Sequence, residues 1–386
     1  MRNVMADRIR GFGTSIFSEM SALAAKHQAI NLAQGFPDFA GPAFIKDAAS
    51  AAIASDLNQY APSHGLRVLR EAVARSWQRH YGRELDPEGE ITVTTGATEA
   101  LVAAVLAVVN PGDEVIIFEP FYDAYPPDVL MAGGVPRYVR LPEPDWALPL
   151  DALRAAITPR TRAIMLNTPH NPIGKVWDRG ELEAIAALAI EHDLLVISDE
   201  VYERLVFDGG RHLPIATLPG MWERTISISS TGKTFSVTGW KVGYTVATPE
   251  LTAAIRRVHQ FVTFASPTPL QAAVAAGLDA GEAYERQLLN FYAARRDELV
   301  AALREAGFAV GAPAGTYFVM ADIRRLGWED DVAFCRYLTT EIGVAAIQPS
   351  AFYHDNYQSG MVRFCFAKRP ETIEQAAGKL ARLRRG

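Results

Sequence analysis

Two lysines, Lys233 and Lys241, lie eight positions apart in the segment SSTGKTFSVTGWKVGY, residues 229–244. They sit among glycines, hydroxyls and aromatics, in a chain that draws most of its positive charge from arginine. An amine in such a setting serves as a point charge for a phosphate or as a nucleophile towards a carbonyl. The run STGKT (230–234) looks like the tail of a phosphate loop, G-x-x-x-x-G-K-[ST]. Position 227 is Ser where the first glycine belongs, and TFSVTGW follows where a helix is required. A dinucleotide site needs G-x-G-x-x-G after an early strand. Gly11-Phe12-Gly13 precedes any strand-like run and lacks the third glycine. The covalent lysine is the reading that other segments support.

Three of those segments each follow a strand-like run. TTGATEA (94–100) places a glycine, small residues and a hydroxyl at the opening of a helix, a setting for phosphate. LNTPHNPIG (166–174) is an Asn-Pro turn that fixes the side chain of Asn171. ISDEVY (197–202) leaves Asp199 at the carboxyl end of a buried strand, three residues before Tyr202. In open α/β sheets, ligands bind outside the carboxyl ends of the strands. A phosphate site, a carboxylate, a tyrosine and a lysine are then predicted to converge. Pyridoxal 5'-phosphate makes that set of demands, with a lysine for its aldehyde and an acid for its pyridine nitrogen.

The elements that must position these residues alternate in type. ITVTTG, DEVIIFEP, VPRYVRL, TRAIMLNTP, DLLVISDEVY, TISISS and KVGYTVA read as strands, with helical stretches such as ATEALVAAVLAVV and GELEAIAALAIEH between many of them. The inner strands are continuous apolar runs, as expected where both faces are covered. The pattern predicts an α/β fold with a mostly parallel sheet. After Pro249 it turns helical, and residues 282–307 read as one long amphipathic helix ending at Gly307. The last 80 or so residues mix short strands, TYFVMADI and GMVRFCFA, with helices in the manner of a smaller α+β unit.

Composition narrows the function classes. A chain of 386 residues with 49% hydrophobic and 21% charged residues is that of a globular protein large enough for two domains. The net charge of −6 and the lack of a basic run argue against nucleic acid. Cys335 and Cys365 are the only cysteines and read as reduced, buried thiols, too few for a disulfide framework or a zinc cluster. The start lacks the apolar core of a signal peptide, and the longest apolar run, ALVAAVLAVV, is too short to span a bilayer. A cytoplasmic location without membrane attachment is the expectation.

The motifs INLAQGFPDF, NQYAPSHG, TTGATEAL, DEVIIFEPFYDAY, LNTPHNPIG, VISDEVYE, SSTGKTFSVTGWKVGY, VHQFVTF, GTYF and VRFCFAK run in order along nearly the whole chain. Together they resemble the class I aminotransferases of PLP fold type I. AQGFPDF, NTPHNP and GKTFSVTGWKVGY are most similar to the bacterial methionine aminotransferases and the kynurenine aminotransferase/cysteine-S-conjugate β-lyases. The resemblance implies a large PLP-binding domain at 45–283 and a smaller domain at 284–386 joined by an N-terminal segment at 1–44.

It also implies roles. Lys233 is the lysine that bonds the cofactor and moves the proton; Lys241 stands where related chains often have an arginine for the phosphate. Asp199 pairs with the pyridine nitrogen, and Asn171 and Tyr202 reach the ring oxygen. Gly96, Ala97, Thr98 and Ser230 hold the phosphate, Tyr122 stacks on the ring, and Tyr60 reaches the phosphate of a neighbouring subunit in a homodimer. Arg363, with Gly35 and Asn171, takes the substrate carboxylate. The reaction implied is ping-pong transfer of an amino group from an amino acid to a 2-oxo acid.

No arginine matches a site for a second carboxylate, and Ile16, Phe17, Phe36, Tyr125 and Phe264 are candidates for an apolar side-chain pocket. A large neutral donor such as methionine, phenylalanine, glutamine or kynurenine is therefore expected over aspartate. β-Elimination from cysteine conjugates and transamination of succinylated diaminopimelate remain open alternatives on the same scaffold. A regulator that merely binds the cofactor would carry a DNA-binding domain, for which no spare segment is visible.

Overall fold

The apolar runs between residues 91 and 246 build one seven-stranded sheet. A computed structural model describes residues 4–385 of the chain. A short strand β1 (Ile30–Asn31) precedes β2 (Ile91–Thr94), β3 (Glu114–Glu119), β4 (Val135–Arg140), β5 (Thr161–Asn167), β6 (Leu195–Asp199), β7 (Thr225–Ser230) and β8 (Gly243–Val246). The order across the sheet is β2-β8-β7-β6-β5-β3-β4. Pairs β4–β3, β3–β5, β5–β6 and β6–β7 are parallel, while β8 runs antiparallel to both neighbours.

Both faces of this sheet are covered, which explains the unbroken apolar runs. In β3, Val115 and Ile117 pack with Ala100, Ala104 and Val105 of the helix Gly96–Val108. Ile116 and Phe118 point the other way, towards Leu182 and Ile185 of the helix Arg179–Glu191. The alternation follows from the period of two in a strand. Each such side chain removed from water contributes roughly 1.5–3 kcal/mol. The fold is thus α/β with a mostly parallel central sheet flanked by helices, as the sequence predicts.

The remaining strands are β9 (Ala309–Val310), β10 (Phe318–Asp322), β11 (Val344–Ala345) and β12 (Met361–Cys365). β9, β10 and β12 form an antiparallel sheet in the order β12-β10-β9. β1 pairs in parallel with β11, so the early segment around Ile30 is stitched to the C-terminal part. The helix Glu282–Ala306 spans 25 residues and closes at Gly307, whose φ of +102° suits the left-handed cap. Both cysteines are buried and free. Among the described residues, no helix is long and apolar enough to cross a membrane.

Candidate active site

The carboxyl ends of β5, β6 and β7 and the start of the helix Gly96–Val108 face one cavity of about 320 Å³. That volume lies within the range of small-molecule sites, roughly 300–1,000 Å³. Asn171, Asp199, Tyr202, Ser230, Lys233, Lys241, Tyr122, Gly96, Ala97, Thr98, Gly35 and Arg363 all line it. Tyr60 does not: it is 83% exposed on the outer surface, its ring 5.2 Å from that of Phe264.

Lys233 sits in a single helical turn, Thr231–Thr234, directly after β7. No long helix follows, because Ser236 and Lys241 both take positive φ. The phosphate-loop alternative is thereby removed. The Lys233 ammonium lies 5.8 Å from the ring of Tyr202 and 5.7 Å from that of Tyr317. Part of its surface opens to the cavity, yet protein surrounds it closely enough that desolvation lowers its pKa to about 8. A neutral amine is therefore available near physiological pH, as a base or nucleophile requires.

Asp199 ends β6 and is 4% exposed. Burial raises its pKa to about 6, while the hydroxyl of Tyr125, the amide of Val201 and the charge of Lys233 hold it lower than burial alone would. Burial also keeps the Tyr202 and Tyr122 phenols protonated. Asn167, at the end of β5, donates from Nδ2 to the carbonyl of Asp199 (2.9 Å) and accepts the amide of Asn171 (2.7 Å). The two loops are thus tied together below the cavity floor.

At the other end, no side chain caps the helix Gly96–Val108. The first amides of a helix have no intrahelical acceptor and carry the positive end of its dipole. Lys241 Nζ reaches Thr98 Oγ1 at 3.2 Å beside them. Gly96 has φ +72°, and a Cβ there would meet Lys241 Nζ at 3.2 Å. Gly243 permits the approach of β8, since a Cβ on it would lie 2.7 Å from the carbonyl carbon of Gly96 and 2.9 Å from Ser229 O. This is a cradle for an anion.

Arg363, on β12, is 1% exposed. Its Nη1 donates to Asn171 Oδ1 (2.8 Å) and its Nη2 to the carbonyl of Ala33 (3.0 Å), over the ring of Phe318 at 3.9 Å. Its Nε has no hydrogen-bond partner, and no carboxylate among the described residues forms an ion pair with it. A buried guanidinium so placed is ready for a carboxylate from outside.

Of the apolar candidates, Phe17 and Phe36 line the cavity. The other three do not line it. Tyr125 is 3% exposed beneath the site, its hydroxyl turned to Asp199. Ile16 opens its helix with its side chain against the core. Phe264 lies on the outer surface against Tyr60. Sequence reasoning missed the cavity residues Gln34, Leu101, Asn167, Val201, Gly232, Thr238 and Phe318. Asn167 was findable as the last residue of its strand run; Phe318 comes from a β-strand far along the chain and carries no local mark.

The comparisons agree with this geometry. The family profile "Aminotransferase class I and II" matches residues 27–380. A "Probable N-succinyldiaminopimelate aminotransferase DapC" of Mycobacterium tuberculosis is 49% identical, with 97% of each chain covered. A "Methionine aminotransferase" of Escherichia coli is 45% identical, with 96% of each covered. The solved structure of the N-succinyldiaminopimelate aminotransferase from Mycobacterium tuberculosis superposes with a TM-score of 0.95 at 49% identity, covering 98% of this chain and 100% of that one. With the profile matching nearly the whole chain and relatives 45–49% identical over nearly all of it, the chain belongs to the aminotransferase class I and II family.

Proposed function

We propose that the chain is a pyridoxal 5'-phosphate-dependent aminotransferase that moves the amino group of a large neutral L-amino acid to a 2-oxo acid by a ping-pong mechanism. The residues present fit the cofactor. The uncapped turn at Gly96–Thr98, with Lys241 and Ser230, would hold the phosphate; Asp199 would pair with the ring nitrogen; Asn171 and Tyr202 would meet the ring oxygen; Tyr122 would cover one ring face. When bound, the cofactor supplies an aldehyde for the amino group and a ring that stores an electron pair.

The chain's own residues do the rest. Arg363 and Asn171 bind the α-carboxylate, and Gly35 brings its backbone close to the same group. Lys233, with its pKa near 8, would take the proton from the substrate Cα and deliver it to the carbon that had carried the cofactor's aldehyde oxygen, and would make the reverse transfer to the Cα of the 2-oxo acid. Asp199 would keep the ring nitrogen protonated. Phe17 and Phe36 shield the reacting atoms from water.

One observation carries the substrate class. The cavity lining holds three cations, Lys233, Lys241 and Arg363, and each has a role in the chemistry just described. Among the described residues none is left for a side-chain carboxylate, whereas Phe17, Phe36 and Phe318 offer apolar surface. A second reading, N-succinyldiaminopimelate, is favoured by the name of the Mycobacterium relative. It asks for a further cation for the succinyl end. The test is kcat/KM for methionine, phenylalanine and glutamine against aspartate and N-succinyldiaminopimelate, with one common 2-oxo acid. Methionine or another neutral donor is expected to lead; a higher value for either acidic donor rejects the neutral-substrate reading.

We read the working form as a cytoplasmic homodimer. Tyr60, Phe261, Val262 and Phe264 present exposed apolar surface, at 83%, 86%, 53% and 49%, and Tyr60 would reach the phosphate in the partner subunit. Light scattering that finds a fully active monomer would remove this part of the proposal. A large domain at 45–283, with 1–44 and 284–386 forming the smaller one, is the division we propose; the β1–β11 pairing supports joining the early segment to the late one.

A further inference from the structure

His259, in the helix Pro249–Val262, is fully buried at 0% exposure and plays no part in the chemistry above. Its Nδ1 lies 3.0 Å from Glu99 Oε1 and its Nε2 lies 2.6 Å from the main-chain carbonyl of Ser63. The carbonyl can only accept a hydrogen bond. Glu99 also accepts, since its other oxygen takes the amide of Thr95 at 2.9 Å. A neutral imidazole has one N–H, so it can serve one of these acceptors; an imidazolium serves both. Between a histidine and a glutamate, the proton belongs on the stronger base, the histidine.

What the ring joins gives the arrangement meaning. Glu99 stands in the first turn of the helix whose free amides form the anion cradle. Ser63 belongs to the loop 58–64 that carries Tyr60. That loop is also fastened by Thr268 Oγ1 on the carbonyl of Gln59 (2.6 Å) and by the amide of Val93 on the carbonyl of His64 (3.1 Å). Its bond to the cradle helix itself runs through the His259 ring. Glu99 brings a negative charge to a turn that would hold a phosphate, and the imidazolium offsets it.

We propose that His259, as an imidazolium, is a positioning residue that locks the loop 58–64 onto the cradle turn Gly96–Thr98 and thereby sets how tightly the cofactor phosphate is held. This rests on the cofactor reading above. The charged groups facing the ring are Glu99 from the cradle helix and Arg256 from its own helix; the loop contributes the Ser63 carbonyl. Desolvation and Arg256 pull the ring's pKa down, and the bonds to Glu99 and Ser63 outweigh them, leaving it above 6.5. With a raised pKa, the lock is complete below 6.5 and is lost as the pH climbs through the folded-state value.

The experiment follows cofactor release from the holoenzyme into a trapping protein, by absorbance, between about pH 6 and pH 9. Wild type, His259→Gln and Glu99→Gln are compared. The wild-type rate is expected to rise by roughly tenfold across one titration step, the effect of one charge-assisted hydrogen bond. His259→Gln, which keeps a donor but does not titrate, should lack that step. Glu99→Gln should move its midpoint to lower pH, because the ring loses the carboxylate that holds its proton. Retention of the wild-type step in His259→Gln, or an unmoved midpoint in Glu99→Gln, overturns the proposal. Should His259→Gln fail to fold, the Glu99→Gln midpoint decides alone. Protein that never carries the cofactor would instead strike at the cofactor reading, so the two failures are distinct.

Discussion

The hydroxyl of Tyr125 donates to Oδ2 of Asp199 across 2.7 Å, with both groups buried. The bond is to the carboxylate that would face the cofactor ring, and it favours the ionised form in a site where burial opposes it. Tyr125→Phe removes the hydroxyl and keeps the ring. The Asp199 pKa should then rise above about 6, and less of the carboxylate would be ionised. We expect kcat/KM to fall by roughly tenfold, the loss of about 1.5 kcal/mol for a hydrogen bond to a charged group. The pH at which the bound cofactor's absorbance changes should also move. An unchanged absorbance profile would show that the bond does not tune Asp199.

Lys233 is expected to titrate near pH 8 in the cofactor-free protein, well below an ordinary lysine. Below that pH the amine is protonated and slow to react; above it the neutral amine predominates. The rate of covalent capture of pyridoxal phosphate should therefore increase through about pH 8 and then level off. Borohydride should fix the label on Lys233, and peptide mapping locates it. Label on Lys241 would overturn the assignment of the two lysines.

Gly243→Ala adds one methyl where no room exists, 2.7 Å from the carbonyl carbon of Gly96 and 2.9 Å from the amide nitrogen of Ala97. Backbone must move at the cradle. Overpacking of this kind costs about 1–3 kcal/mol. We expect weaker cofactor retention together with a lower Tm, read by cofactor content after dialysis and by thermal denaturation. Gly239→Ala, in open space in the same segment, is the control and should leave both unchanged.

Arg363→Lys keeps a positive charge and removes the planar fork. Asn171 Oδ1 and the Ala33 carbonyl each lose a bond from it. KM should rise about tenfold or more for every amino donor alike, because the α-carboxylate is common to all. A rise confined to one donor would place Arg363 in side-chain recognition instead.

Much of the candidate site was legible because its polar side chains sit at or just after the ends of strands. Asp199 closes β6, Ser230 closes β7 and Asn171 follows β5, so a strand boundary marked each one. The sheet itself was legible from runs that packing on two faces makes wholly apolar. The apolar pocket was not. Phe17 and Phe36 reach the cavity while Ile16 turns into the core. Helix phase and the tertiary pairing of β1 with β11 decide this, and neither is written in a pentapeptide. Tyr125 was misread for a similar reason: FYDAY offers two tyrosines three apart, and the helix Tyr125–Met131 turns the second beneath the site. The role of His259 needs partners 160 and 196 residues away, which no local pattern shows.

The stitching of Ile30–Asn31 to Val344–Ala345 has a consequence for how such a protein could change its diet. The groups that would grip the phosphate and ring hang from the long sheet and its flanking turns, whereas Phe17, Gln34 and Phe36 hang from a short early segment fastened to the other end of the chain. Tyr317 Oη and Lys368 Nζ anchor that segment through the carbonyls of Gly35 (2.6 Å) and Phe36 (2.9 Å), contacts to backbone that are blind to the side chains it bears. Substitutions at 17, 34 and 36 would therefore bear first on which amino acid is welcomed, while the groups carried by the long sheet keep their places. The segment behaves as an exchangeable tool head on a fixed engine, and a library confined to it is the natural place to search for new donors.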